Sequence, residues 1–210
     1  CVFLDPGVMV AEGMLRVAGT AGRCSSTGTL YTNGNFFCCG TEGVAFAGTI
    51  QAGGAMTVDA KSGGFISEAE ILALGKLTLE AFSDISIANS LQVGGAAYLT
   101  GGKNVENKGS FYVQEGMEIA AAGSIANSGK MTVQRDLQLK STAGTFSNDG
   151  TVLSGGLVDV AAATGIRNAG AVQSASDLKM VVGEGSVDNS GSLIAGGDLS
   201  VAASNNIDNR

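Results

Sequence analysis

Cysteine thiols, paired carboxylates and glycine-rich loops are the groups in this chain that could do chemistry, and their spacing decides what each can do. Four cysteines stand at 1, 24, 38 and 39. There is no histidine, so a tetrahedral zinc site would need all four thiolates, whose spacing is not the Cys-x2-Cys of such sites. A disulfide of an exported protein and an incidental buried thiol remain as their two uses. Without imidazole, a serine or cysteine nucleophile also lacks its usual base. Gly75-Lys76-Leu77 and Gly129-Lys130-Met131 have neither the upstream glycine nor the following Ser or Thr of a phosphate loop. Gly183 and Gly185 begin a Gly-x-Gly with no third glycine behind it. Acidic side chains scatter over Asp59, Glu80, Glu118, Asp159, Asp177, Asp188, Asp198 and Asp208. A polysaccharide lyase would need clustered acidic calcium ligands and a basic residue to take a proton. Asp188 and Asp208 share a position of the repeat described next, with Arg167 one unit earlier, and that trio reads as solvation and charge balance. No catalytic residue, metal ligand or cofactor is assigned.

What positions these groups is a fixed period. An apolar residue recurs at Leu15, Phe36, Met56, Leu77, Ala97, Met117, Leu137, Val158, Leu178 and Leu199, in steps of 20 or 21. Two residues after each stands another: Val17, Cys38, Val58, Leu79, Leu99, Ile119, Leu139, Val160, Met180 and Val201. Alternation with period two predicts a strand with both members facing one way. A second apolar column leads the first by six residues, at Met9, Leu30, Ile50, Ile71, Leu91, Phe111, Met131, Val152, Val172 and Leu193. A third follows at Ile85, Val105, Ile125, Phe146, Ile166, Val187 and Ile207. Asparagine comes two residues later at Asn107, Asn127, Asn148, Asn168, Asn189 and Asn209, and four later at Asn89, where Ile87 intervenes. Glycine then stands at Gly109, Gly129, Gly150, Gly170 and Gly191.

Three short strands per unit, with Asn and Gly at the corners, predict an all-β chain: a right-handed parallel β-helix, a three-sided solenoid of about ten coils. A leucine-rich repeat would carry a different consensus and helix-like outer segments. At about 4.8 Å per coil the rod would be roughly 48 Å long. The seven asparagines, Asn89 included, are expected to stack as an amide ladder that supports a corner. Proline would remove a ladder donor, and the chain has one, Pro6, before the repeat begins. Residues 1–47 keep the first two columns but lack the asparagine, and are expected to be irregular, cysteine-bearing first coils. Residues 48–210 are expected to be regular coils of the same continuous solenoid. The pattern is still running at both ends, as in a piece of a longer chain.

Partners follow from charge and from what faces outward. The net charge is −7 and Lys and Arg form no cluster, so nucleic acid and acidic membrane surfaces are poor partners. If the register holds from the start, Phe36 and Cys38 point inward while Phe37 and Cys39 point outward. Together with Tyr31 these outward groups would form a contact patch, unless a further loop covers them. No outward threonine column exists of the kind that binds ice.

The segments "GSLIAGGDLSVAASNNIDN" (191–209) and "GTVLSGGLVDVAAATGIRNAG" (150–170) resemble the repeats of filamentous hemagglutinin and related two-partner-secretion exoproteins. That group includes the effector rods of contact-dependent growth inhibition. The resemblance covers roughly 48–210, where the Gly-Gly, Leu-x-Val and Ile-x-Asn elements recur together. It implies a structural or adhesive shaft, secreted to the bacterial surface through an outer-membrane transporter. Such a shaft holds an adhesive or toxic element towards a receptor on a host cell or a neighbouring bacterium, and continues into flanking coils of the parent chain.

Overall fold

A computed structural model describes residues 2–4 and 7–210, with side chains from residue 7 onward. Cys1 and Pro6, singled out above, lie outside the described residues. The described chain is built of strands three to five residues long and contains no helix.

Each strand pairs with the third strand after it, so the chain winds through three all-parallel sheets. The first sheet has ten strands, from Val8–Ala11 to Ser192–Ala195. The second has ten, from Leu15–Gly19 to Leu199–Ala202. The third has eleven, from Val2–Leu4 to Ile207–Asn209. This is the three-sided solenoid that the period of 20 or 21 demands, because equivalent residues sit directly above one another. Leu77 lies over Met56 and under Ala97, and Ile71 lies between Ile50 and Leu91. Registration is unbroken across residues 47 and 48: Leu30 pairs with Ile50 and Phe36 with Met56.

Within a strand, side chains alternate between the interior and water. In Leu77–Ala81, for example, Leu77, Leu79 and Ala81 are buried while Glu80 is exposed. The interior is a single column of aliphatic layers running along the axis. Near the start it contains a chain of aromatic contacts. Phe46 meets Phe36 edge-on at 6.1 Å and Phe65 at 5.7 Å between centroids, the arrangement that opposes ring edge to ring face.

The corners are held by backbone and side-chain bonds to the next coil, which satisfies groups that no sheet reaches. Asn35 Oδ1 accepts from the Ala55 N–H at 2.9 Å. At the same corner further along, Asp136 Oδ1 accepts from Leu157 and Asp177 Oδ1 from Asp198, at 2.8 and 2.9 Å. Gly48 turns its corner at φ +98°, in the left-handed region that suits glycine.

Candidate functional site

The third sheet carries the most ordered polar feature of the interior. Asn107 donates through Nδ2 to Asn127 Oδ1, Asn127 to Asn148, Asn148 to Asn168, and Asn168 to Asn189, each at 2.7 Å. Asn189 closes the series on Asn209 at 2.6 Å. From Asn107 to Asn189 these side chains are buried. Each donating amide has a second partner in the corner, such as the Gly150 carbonyl for Asn148 at 3.3 Å. The amides are thus occupied by one another and by backbone, and they face inward. The ladder can stiffen a corner; it offers nothing to a ligand.

Asn89 is not part of it, which corrects the expectation of seven rungs. The residue registered beneath Asn107 is Ile87, and one coil supplies one residue to each column. Asn89 falls two residues past the column, in the exposed corner. There its Nδ2 donates to the Glu68 carbonyl at 3.1 Å and its Oδ1 accepts from the Ser90 N–H at 2.9 Å. Below Asn107 the same column reads Ile87, Ser67, Phe46 and Ser26. Small and bulky side chains alternate there, each serine leaving room for the large neighbour on either side.

Tyr31, Phe37 and Cys39 do not make one patch. Tyr31 lies on the first sheet, in Thr29–Thr32, and the other two lie on the second, in Phe36–Gly40, with the corner 33–35 between. Tyr31 is exposed, and its hydroxyl donates to Asn33 Oδ1. Phe37 is half-buried beneath the Arg16 guanidinium, which stands 5.0 Å from the ring centroid. Cys39 is half-buried between its register neighbours Ala18 and Asp59.

The outer faces of the sheets differ in charge. Glu70 and Lys130 are the charged outward residues among the first-sheet strands. One outward column of that face runs Val10, Tyr31, Gln51, Leu72, Gln92, Tyr112, Thr132, Leu153, Gln173 and Ile194. From Tyr31 onward, aromatic or aliphatic groups recur in it at every second coil; Val10 precedes Tyr31 directly. The second sheet instead presents Arg16, Asp59, Glu80, Glu118, Lys140, Asp159 and Lys179. No signal in the twenty-residue period marks the two-coil alternation, which appears only when outward residues are read as one column.

Arg167, Asp188 and Asp208 do stack in register on the third sheet. Arg167 pairs with Asp149 instead, and Arg210 takes Asp208. The Arg210 hydrogen bond holds the Asp208 carboxyl below its ordinary range. Among the described residues no three acidic or thiol side chains converge on a point where a metal could sit. One Ser-x-x-Lys element, Ser176 to Lys179, also occurs; both side chains are exposed, one in a corner and one on the outer face of the second sheet. The buried thiols of Cys24 and Cys38 lie side by side with their sulfurs 2.9 Å apart. The hydrogen bond to Cys24, reinforced by burial, pushes the Cys38 thiol up.

The family model of the haemagglutinin repeat matches the chain over residues 10–81, 51–179 and 154–210. These stretches overlap, and the first includes the coils at 10–47 that lack the asparagine. No curated protein and no solved structure matches the chain. Haemagglutinin repeats are structural and adhesive units of secreted, cell-surface exoproteins. A solenoid whose coils are in register throughout, matched by that family from residue 10 to residue 210, belongs to the haemagglutinin repeat family.

Proposed function

We propose that this chain is a shaft segment of a large bacterial surface exoprotein, and that it holds an adhesive or toxin-delivering element towards a target cell. The observation that carries the reading is the unbroken registration of three parallel sheets over the haemagglutinin repeats. Such a stack converts sequence length into reach at about 4.8 Å per coil. Each coil needs only its neighbours, as in other repeat rods, so the parent shaft can be lengthened without redesign. Flanking coils of the parent and an outer-membrane transporter during export are the partners this role requires.

The contact with a receptor on a neighbouring bacterium or a host cell is assigned to the first-sheet face that carries Tyr31. That face has the fewest charges and a column in which Val10, Tyr31, Tyr112 and Ile194 are exposed and Leu72 and Leu153 half-buried, the composition that marks interaction surfaces. Phe37 and Cys39, on the adjoining face, lie outside it.

Binding of the fluorescently labelled protein to bacterial and to mammalian cells, with unlabelled protein as competitor, tests the reading. Saturable, competable binding that Tyr31→Lys and Tyr112→Lys weaken supports a receptor contact on this face, and the preferred cell identifies the target. Binding to neither cell removes the receptor contact and leaves a shaft alone.

A further inference from the structure

Cys24 and Cys38 meet inside the rod where its other cross-links are missing. Cys24 opens the third-sheet strand Cys24–Ser26, and Cys38 is the middle of the second-sheet strand Phe36–Gly40, one coil further along. Their sulfurs are 2.9 Å apart, and the side chains are 1% and 0% exposed. Cys39 points the other way, to the outside of its sheet. The amide ladder begins only at Asn107, and the hydroxyl of Ser26 is buried without a partner. Two thiols sharing a weak hydrogen bond contribute little to hold this end together.

We propose that Cys24 and Cys38 form an interior disulfide that staples the first two full coils of the rod. The sulfurs must close by less than about 1 Å to reach the bonded separation of about 2.05 Å. The alternative Cys38–Cys39 pair would have to join side chains on opposite faces of one strand. The bond would join two sheets and two successive coils, so the strand Cys24–Ser26 could not peel from the interior while it lasts. It forms by thiol–disulfide exchange with an external disulfide. One thiolate attacks a sulfur of that oxidant and expels a thiolate; the second cysteine then attacks the mixed disulfide and expels the other. The two cysteines lose two protons and two electrons in total, and the oxidant leaves as two thiols. Because both sulfurs are sealed from water in the finished coil, oxidation belongs to the stage before the coils close. Afterwards the same burial shields the bond from reductants.

The test is refolding of the reduced protein with oxidised glutathione, followed by unfolding in iodoacetamide to cap remaining thiols. The expected product has lost two hydrogens, and chymotryptic cleavage after Leu30, Tyr31 or Phe37 leaves a peptide pair joined through Cys24 and Cys38. Cys39→Ser retains that cross-link and Cys24→Ser abolishes it. The oxidised protein should melt about 5 °C or more above protein kept reduced with dithiothreitol throughout folding. A bond through Cys39, or capped thiols at both Cys24 and Cys38 in protein with the β-sheet circular dichroism of the native form, overturns the proposal. So does equal melting of the oxidised and reduced forms.

Discussion

Asn148 accepts a hydrogen bond from Asn127 and passes one on to Asn168, both at 2.7 Å, so it is donor and acceptor in one buried line. Asn209 at the end of the line only accepts, from Asn189. Removing a middle rung strands a donor below and an acceptor above, and a buried polar group left without a partner costs about 1–3 kcal/mol. Asn148→Ala should therefore lower unfolding free energy by about 2–4 kcal/mol, and Asn209→Ala by about 1 kcal/mol or less. Denaturant titration of both variants measures the contrast. Equal losses would show that the ladder has no energetic continuity.

Charge at the same rung gives a pH signature. In Asn148→Asp the new carboxylate still accepts from Asn127, but it faces Asn168 Oδ1 and the Gly150 and Ala171 carbonyls, to which Asn148 now donates. Burial and facing oxygens both disfavour the charged form, so the folded-state pKa should lie above the unfolded value of about 3.9. The sign follows from linkage: the acid form is favoured by folding, so its contribution is complete below about pH 3.9 and is lost as pH rises through the folded pKa. Measured against the native protein at each pH, the deficit of Asn148→Asp should grow from acid to neutral and exceed that of Asn148→Ala at pH 7. A deficit that stays constant between pH 3 and pH 7 would refute the assignment.

Asp84 tests the opposite sign at an exposed corner. Partial burial opposes its charge, but the Asn104 backbone N–H and side-chain amide donate to Oδ1 at 3.1 and 2.9 Å, and the Ser83 hydroxyl donates to Oδ2. With Lys103 nearby these outweigh burial and hold the carboxyl below its ordinary value of 3.8. Its contribution is present above that value and is lost as pH falls through the folded pKa. Asp84→Ala should cost under about 1 kcal/mol at pH 7, given the exposure of the group, and nothing once pH is below the folded value. Unfolding curves taken at pH 7 and at successively lower pH follow the loss, and a cost that does not shrink as pH falls would refute it.

The fold was legible because a coil of fixed length repeats one physical demand, an apolar residue at every second position of three short strands. Leu15, Phe36 and Met56 declare that demand without help from distant sequence, and the register Leu15–Phe36–Met56 follows. Asn89 misled because a composition pattern near the corner looks the same whether the asparagine is in the column or two residues past it. Only the pairing of Ile87 with Asn107 decides which. The expected patch of Tyr31 with Phe37 fails for a related reason. Six residues apart along the chain, they are separated by a corner that turns their side chains onto different faces. The meeting of Cys24 with Cys38 depends on which inward columns converge across the interior, and spacing along the chain does not contain that.

The glycines offer a final contrast between two positions of the same stack. A Cβ built on Gly150 would stand 1.9 Å from the Gly129 carbonyl oxygen, and the glycines at 129, 170 and 191 are as crowded by the coil before them. On Gly165, in the strand Gly165–Asn168, the nearest atoms would be at 3.5 and 3.7 Å, an ordinary contact. Gly150→Ala must push two coils apart at the corner beside Asn148, where the Gly150 N–H also donates to the Asn127 carbonyl at 3.1 Å. Its cost should be about 2–4 kcal/mol, in the range of severe overpacking. Gly165→Ala adds a methyl at ordinary contact distance and removes backbone freedom from the unfolded chain, so it should be neutral or stabilising by up to about 1 kcal/mol. Thermal unfolding of the two variants side by side checks this. A tolerated Gly150→Ala would mean that the coils can spread at this corner, and that the column of glycines is not what sets the close approach of the chain around the ladder.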